Sequence, residues 1–382
     1  MLKLRNPINQ YFFFLSGENP ELAVYELKSV LSLIDNPTDL RISPDNRIIE
    51  LYFPPEGKKN SYSDLIQYIM QRITMVHFCC KLLLQNNFSN SLPLSFDELI
   101  STFDSIAVQG LISNKTFSVI TKRIGDPIGI LQNKSLSQTL STFLGDQILK
   151  NNLNLKVDLN NPEIRFICII SKHGLWFGQL ISLSLRKDVR NRSSHKRPFF
   201  HPSSMNPLLL RTMINLAALK PGEWLLDPFC GSGGSLLEAS LLGIRSIGVE
   251  VDRRMIWGAY RNLKMAQKTS GSTNLIFGDA THLGFKKDSV SGVVTDPPYG
   301  STASTQGVDL LDLLIDFLHE IRPILRSNCR LVIAVPSSID IEEKAANILD
   351  ATYVKFLQYV HRSLTRKILV FTVKGDIKKK DN

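Results

Sequence analysis

The sequence predicts an α/β protein. A doubly wound parallel sheet that ends in an antiparallel hairpin fills the C-terminal half, and α+β layers precede it. Three observations predict this. From Trp224 onward, short apolar runs alternate with amphipathic stretches at helical spacing, the pattern of repeated β-α units. Several of those runs stop at glycine-rich or acidic segments: DPFCGSGG at 227–234, Glu250 and Asp252, GDA at 278–280, and DPPYG at 296–300. The last two runs, VKFLQYVHR and KILVFTVK, are joined around SLT, a connection short enough only for a hairpin.

Taken in order, YFFFLS reads as a strand and NPELAVYELKSVLSLI as a capped amphipathic helix. RIIELYF is a strand, and segment 64–84 a helix. FDELISTF is a helix, TFSVITKRI a strand and LSQTLSTFLGDQILKN a helix. LKVDL, RFICIIS and LWFGQLISLSL follow as strands, so this half reads as two small α+β units. In the second half, WLLDPFC is a strand running into a Gly-rich turn, and SLLEASLLG is a helix stopped at Gly243. SIGVEVD, LIFGDA, SGVVTD and RLVIAVPSS are further strands. RMIWGAYRNLKMAQK, LLDLLIDFLHEIRPILR and EEKAANIL are the helices between them. The helix NPLLLRTMINLAAL packs its apolar stripe on the sheet, and Trp224 and Trp257 are expected in the core.

The chain has 382 residues, 43% hydrophobic and 21% charged, which suits two or three globular domains. It lacks any run of about 18 apolar residues, and the early burst YFFFL is too short for a leader, so a cytoplasmic protein without membrane attachment is expected. Five cysteines without C-x-x-C spacing argue against a disulfide framework and against a zinc site. Net charge is +10, which suits an anionic partner. The charge is densest in LRKDVRNRSSHKRP at 185–198, where Arg190, Arg192, Lys196 and Arg197 are candidate phosphate contacts. A second cluster, KKK, lies at 378–380.

The chemistry gathers at predicted strand ends, where open α/β sheets bind ligands. The glycines of DPFCGSGG let backbone approach a ligand closely at a helix start. The loop is neither a dinucleotide G-x-G-x-x-G nor a P-loop. Glu250, about 20 residues on, is placed to grip both hydroxyls of a ribose. Asp279 is placed to accept from an adenine amino group. The series Gly-rich loop, Glu, Asp and then DPPY resembles the class I S-adenosylmethionine-dependent methyltransferases, with a Rossmann-like sheet.

Asp-Pro-Pro-aromatic resembles the motif of methyltransferases that act on exocyclic amines of nucleobases. Such a nitrogen is a poor nucleophile because its lone pair is delocalised into the ring. Asp296 can accept one of its N–H bonds and the carbonyl of Pro297 the other, while Tyr299 offers a stacking face to a flipped base and Pro298 stiffens the platform.

The N-terminal half resembles a ferredoxin-like segment followed by a THUMP domain, a tRNA-binding module. RPFFHPSSMNPLLLRTMINLAALKPGEWLLDPFCGSGG and VHRSLTRKILVF resemble the archaeal THUMP-containing tRNA guanosine N2-methyltransferases that act at position 10. The resemblance implies four parts: ferredoxin-like 1–85, THUMP 86–186, a basic linker 187–203 and a methyltransferase domain 204–382. It places S-adenosylmethionine on Asp227, Phe229, Gly231, Gly233, Glu250, Asp279 and Ala280, with His201 and Pro202 near its methionine end. It makes Asp296, Pro297 and Tyr299 the catalytic residues. Tyr299, Pro298, Arg190, Arg192, Lys196 and Arg197 become substrate contacts, and no metal is implied. It also implies tRNA as partner, together with a small zinc-binding activator protein. Methylation of another tRNA guanosine such as position 6, N6-methylation of adenine in RNA or DNA, and a non-catalytic tRNA-binding protein remain alternatives. A thiolation enzyme with an S-G-G-x-D-S loop is disfavoured, because Leu236 and Leu237 follow SGGS at 232–235.

Overall fold

The structure is a computed structural model that describes residues 9–34, 39–54, 59–88, 115–125, 135–151, 154–264, 271–299, 309–361 and 364–375. It divides into two units, Met1–Pro20 with Asn36–Met70 and Val76–Ser184, and Glu21–Asp35 with Gln71–Met75 and Leu185–Asn382.

The N-terminal half carries β1 (Gln10–Leu15), α1 (Pro20–Leu31), β2 (Asp39–Ile42), β3 (Ile48–Tyr52), α2 (Lys59–Arg72), β4 (Val76–Asn87), β5 (Thr116–Arg123), α3 (Leu136–Asn151), β6 (Lys156–Val157), β7 (Ile164–Ser171) and β8 (Gly174–Leu183). Its strands form one eight-stranded sheet in the order β2-β3-β1-β4-β8-β7-β5-β6. The two small units expected from sequence therefore share a single sheet, joined where β4 pairs antiparallel with β8. Helix α3 buries Leu136, Leu140, Leu144 and Ile148, spaced four apart, on Phe117, Phe166 and Phe177.

The long helix expected over 64–84 is a correction. The helix stops at Arg72, and Val76–Asn87 is the central strand β4. Phe78, Cys80 and Leu82 alternate into one face with Phe12, Phe14 and Trp176. This register comes from partners β1 and β8, distant in sequence, which a local apolar pattern does not reveal. The expected helix FDELISTF and the KKK cluster lie outside the described residues.

The C-terminal unit continues with α4 (Arg186–Arg190), α5 (Pro207–Leu216), β9 (Trp224–Asp227), α6 (Gly234–Ser240), β10 (Arg245–Glu250), α7 (Arg253–Leu263), β11 (Thr273–Phe277), β12 (Val290–Thr295), α8 (Leu310–Ile321), β13 (Leu325–Pro336), α9 (Glu342–Leu349), β14 (Ala351–His361) and β15 (Leu364–Val373). The sheet order is β11-β10-β9-β12-β13-β15-β14. Strands β9 to β13 run parallel, and β15 is antiparallel to both β13 and β14, the doubly wound sheet and closing hairpin that the sequence predicts. Leu314, Phe317, Leu318 and Ile321 of α8 bury against Leu226, Val293, Leu331 and Ile333. From β9 the chain winds outward through β10 to β11, then returns to β12 on the other side of β9. The strand order thus reverses at β9/β12, where such sheets take ligands.

This unit also includes two pieces from early in the chain. Glu26 of α1 is buried and accepts from Thr74 N at 3.0 Å, Thr74 Oγ1 at 3.1 Å, Met75 N at 2.7 Å and Asn215 Nδ2 at 2.8 Å. Arg330 Nη1 donates to Ser29 Oγ, and Tyr25 packs on Phe356. Segments 21–35 and 71–75, assigned from sequence to the first domain, therefore belong to the packing of the C-terminal sheet. Trp257 is a further correction: it is 68% exposed on α7 rather than in the core, beside edge strand β11.

Candidate active site

The functional side chains sit at the carboxyl ends of β9, β10, β11 and β12. Asp227 ends β9 and is 4% exposed. Its Oδ1 accepts from Phe229 N at 3.2 Å and Thr295 Oγ1 at 2.8 Å, and its Oδ2 accepts from Ser235 Oγ. The carboxylate thus ties β9, α6 and β12 together from beneath. Expected as a methyl-donor contact, Asp227 is turned into the frame, where it fixes the loop after β9 and the end of β12. Burial pushes Asp227 up to about 6, against its hydrogen bonds. A carboxyl raised in the folded state favours the fold below its unfolded value, and that advantage is lost as pH rises through the folded value. Wild-type stability is therefore expected to fall between pH ~4 and ~6 in part through this group. Urea midpoints across that range should fall less for Asp227→Asn.

The loop after β9 needs its glycines. Gly231 has φ 51° and Gly233 φ 77°, and a Cβ on Gly233 would stand 3.0 Å from the Ala259 Cβ. Glu250 reaches back from β10, where Oε2 accepts from Gly231 N at 2.8 Å and Oε1 from Asp252 N at 3.0 Å. Burial raises its pKa, opposed by these backbone bonds. Asp279 is exposed, with Oδ1 accepting from Thr281 N and Oγ1, both at 2.9 Å. Ala280 is buried in the core, and the Phe229 ring packs 5.4 Å from Phe317. Gly231, Gly233, Glu250 and Asp279 together fit S-adenosylmethionine. A Cβ on Gly231 would meet only Met255 Cε, at 3.5 Å, so this backbone is open to a ligand.

At the end of β12, Asp296 and Tyr299 come together with a third residue, Arg366 of β15. The Tyr299 hydroxyl donates to Asp296 Oδ1. Arg366 Nη2 lies 3.4 Å from Asp296 Oδ2, and its Nε donates to the Tyr299 hydroxyl at 2.9 Å. Burial pushes Asp296 up to about 6, with Arg366 and the Tyr299 hydrogen bond opposing it. Burial and the adjacent carboxylate raise Tyr299, which stays neutral. Pro297 is buried and Pro298 half-buried. Arg366 was missed as a site residue, although it lies in the stretch VHRSLTRKILVF that carried the resemblance. It reaches the site only because β15 runs antiparallel beside β13, with Arg366 opposite Pro336.

The basic stretch divides in two. Arg190 and Lys196 are exposed, and Lys196 Nζ donates to Asn191 Oδ1 at 2.9 Å. Arg192 and Arg197, expected as phosphate contacts, turn inward. Arg192 donates Nε and Nη2 to the buried carboxylate of Glu238 at 2.7 and 2.8 Å, shared with Arg211 at 3.0 Å. Arg197 is 6% exposed, and its Nε donates to Arg192 O at 2.7 Å. The Glu238 carboxylate, buried on α6, needs the Arg192 and Arg211 cations more than a surface does. Beyond them, Phe199 N donates to Asn262 Oδ1, and Asn262 Nδ2 donates to Ser232 O, lacing this segment to the glycine loop. His201 bonds Ser203, and Ser204 Oγ lies 3.0 Å from Ser232 Oγ, so 199–204 flanks the loop. Asn262 carries no signal in the sequence, because only tertiary contact pairs it with the loop, whereas Ser204 lies in the helix start Ser203–Asn206 that the sequence places toward the cofactor.

Among the described residues no group of His, Cys, Asp and Glu is arranged to hold a metal ion. The five cysteines are buried and free.

A family profile described as RMKL-like methyltransferase domain matches residues 194–368, and one described as DNA methylase matches 124–260. The chain is 29% identical over 359 residues to the tRNA (guanine(10)-N2)-dimethyltransferase of Methanothermobacter thermautotrophicus, covering 93% of this chain and 97% of that one. A Methanothermococcus thermolithotrophicus protein with the same name, prefixed "Probable", is 32% identical over 179 residues, 46% of this chain and 99% of its own length. The fold resembles TrmN from Thermus thermophilus, with a TM-score of 0.54 at 17% identity, covering 95% of this chain and 100% of that one. Through its 32% identity to the Methanothermococcus protein over 99% of that protein's length, this chain belongs to the tRNA (guanine(10)-N2)-dimethyltransferase family.

Proposed function

We propose that this protein transfers methyl groups from S-adenosylmethionine to the exocyclic N2 of a guanosine in tRNA, at position 10, adding one and then a second. The observation that carries this reading is the Asp296–Pro297–Pro298–Tyr299 platform, held at the end of β12 one strand from the Gly-rich loop. When bound, S-adenosylmethionine supplies an electrophilic sulfonium methyl. The residues of this chain prepare the acceptor. Asp296 and the Pro297 carbonyl take the amine N–H bonds, which orients the nitrogen and raises its electron density. The Tyr299 ring stacks on the extruded base, worth about 1–3 kcal/mol by analogy with single-stranded binding. The product ammonium is acidic enough to release its proton to water.

The N-terminal unit is proposed as a ferredoxin-like and THUMP region that grips tRNA. Its sheet carries a concavity of about 380 Å³ that includes Phe14, Ile120 and Leu183 beside Lys122 and Arg165, an apolar floor with cations suited to RNA. The enzyme is proposed to work in the cytoplasm. A small zinc-binding activator is proposed as a further partner, and the exposed Trp257 of α7 with Ile276 and Phe277 of edge strand β11 are the surface that would take it. Co-expression followed by size-exclusion chromatography tests that partner.

Arg190→Ala and Lys196→Ala are each expected to reduce the slope of log tRNA affinity against log salt by about 1. Arg192→Ala should leave that slope unchanged and instead lower stability by about 2 kcal/mol, because it strips one partner from buried Glu238. Filter binding across a salt series and thermal melts separate the two groups.

A second reading, N6-methylation of adenine, draws on the DNA methylase profile, but that match ends at residue 260, short of DPPY. Incubation with unmodified tRNA transcripts and labelled donor, followed by nucleoside analysis, decides between them. N2-methylguanosine and N2,N2-dimethylguanosine are expected. N6-methyladenosine in their place would overturn the guanosine reading.

A further inference from the structure

The Asp-Pro-Pro-Tyr chemistry derived above calls for acceptors and an aromatic face. It does not call for a cation. Arg366 is nonetheless built into the centre of it. Its side chain is 11% exposed, and its guanidinium carbon lies 5.3 Å from the centroid of the Tyr299 ring. With Nη2 at 3.4 Å from Asp296 Oδ2, Nε at 2.9 Å from the Tyr299 hydroxyl, and that hydroxyl donating to Asp296 Oδ1, each of the three side chains contacts the other two. The cation is committed to the platform itself, since its charge is paired with the Asp296 carboxylate.

Its role is legible in the lone pairs. A carboxylate offers about four acceptor positions, two on each oxygen. Tyr299 uses one on Oδ1, and Arg366 lies 3.4 Å from Oδ2 as an ion-pair partner, so among the described residues each oxygen keeps an acceptor position. Two adjacent acceptors match one nucleobase edge. In guanine the exocyclic N2–H lies beside the ring N1–H, giving two parallel donors. In adenine and cytosine the amine lies beside a ring nitrogen with a lone pair, which an anionic carboxylate repels. The Arg366 guanidinium also lies against the Tyr299 ring, which fixes the ring beside the carboxylate.

We propose that Arg366 is a positioning residue that selects the base. By holding the Asp296 carboxylate ionised and fixed against Tyr299, it presents two side-by-side acceptors to the N1–H and N2–H edge of guanine. This rests on the guanine N2 reading above. It goes further, because it assigns base choice to a residue outside the Asp-Pro-Pro-Tyr motif.

The test uses tRNA carrying either guanosine or 2-aminopurine riboside at the target position. The analogue keeps the C2 amine and replaces N1–H by a lone pair. Initial rates give kcat and KM for the full-length wild type, Arg366→Gln and Arg366→Lys, with donor binding by calorimetry as a check of folding. Wild type is expected to prefer guanosine by about 100-fold or more in kcat/KM, since sites built around a substrate N–H reject analogues that lack it. Arg366→Gln is expected to lose at least about tenfold of that preference through kcat, with donor affinity unchanged, and Arg366→Lys to recover only part of it, because an ammonium cannot contact Asp296 and the Tyr299 hydroxyl with a rigid fork. Comparable wild-type kcat/KM on the two nucleosides overturns the proposal without reference to any variant. So does an unchanged preference in Arg366→Gln. Absence of N2-methylguanosine from wild type acting on the unsubstituted transcript, with methyl found on adenine, is a different result: it removes the guanine reading itself, and this proposal with it.

Discussion

Asp296→Ala is expected to lower kcat for methyl transfer by about 10²–10³-fold or more, with donor affinity retained. The variant loses the acceptor that orients the amine, and it leaves Arg366 without its carboxylate. Asp296→Asn keeps one acceptor oxygen and should fall between wild type and Asp296→Ala. The pH profile provides a second mark. Burial holds Asp296 at about 6, and the acceptor form is the ionised one. Wild-type kcat is therefore expected to rise with pH through about 6 and level off above it, and Asp296→Asn should lack that rise. Single-turnover rates from pH 5 to 8, with donor binding measured on the same samples, check both. A kcat in Asp296→Ala within a few-fold of wild type would sink the assigned role.

Glu26→Ala is expected to be the most destabilising single change outside the site, at about 3–5 kcal/mol. The carboxylate accepts from four groups, three of them on or next to Thr74 and the fourth on Asn215. Its removal strands buried donors, each costing about 1–3 kcal/mol before the site relaxes. At roughly 2–4 °C per kcal/mol for a domain of this size, the melting temperature should drop by about 6–20 °C. The same geometry predicts that a fragment beginning at residue 204 will not fold. It would lack α1 and 71–75, which supply Tyr25, Glu26, Ser29 and Thr74 to the packing of that sheet. Thermal melts of Glu26→Ala, and solubility of the fragment, test the two together. A Glu26→Ala melting temperature within about 2 °C of wild type would mean that neighbours or water replace the lost bonds.

The C-terminal sheet was legible because its signals are local. Each strand there is a short apolar run ended by a glycine or an acid, and each helix carries its own apolar stripe. Leu314, Phe317, Leu318 and Ile321 can be picked out from spacing alone, and they are buried. The N-terminal half was less legible where long-range pairing decides. VHFCCKLLL has enough apolar residues to read as the continuation of a helix, and only pairing with β1 and β8 makes it a strand. Trp257 failed for the opposite reason: its helix is amphipathic, but it lies over the edge of the sheet, where one flank faces solvent.

The sequence by itself determined the parts whose chemistry is carried by consecutive residues: the glycine loop, the acids at the strand ends, the Asp-Pro-Pro-Tyr platform and the closing hairpin. Tertiary structure alone decided which of those groups are buried in the frame and which are left at the strand ends. Asp227 looked like a donor contact and is a buried tie between β9, α6 and β12. Arg192 looked like a phosphate contact and is committed to Glu238. Arg366 looked like an ordinary strand residue and completes the site, 67 positions after the tyrosine it bonds. Identity and spacing determine what a side chain can do. Burial and partners determine what it does, because desolvation makes a charged group seek the nearest opposite charge or hydrogen bond, and the folded chain alone decides which group that is.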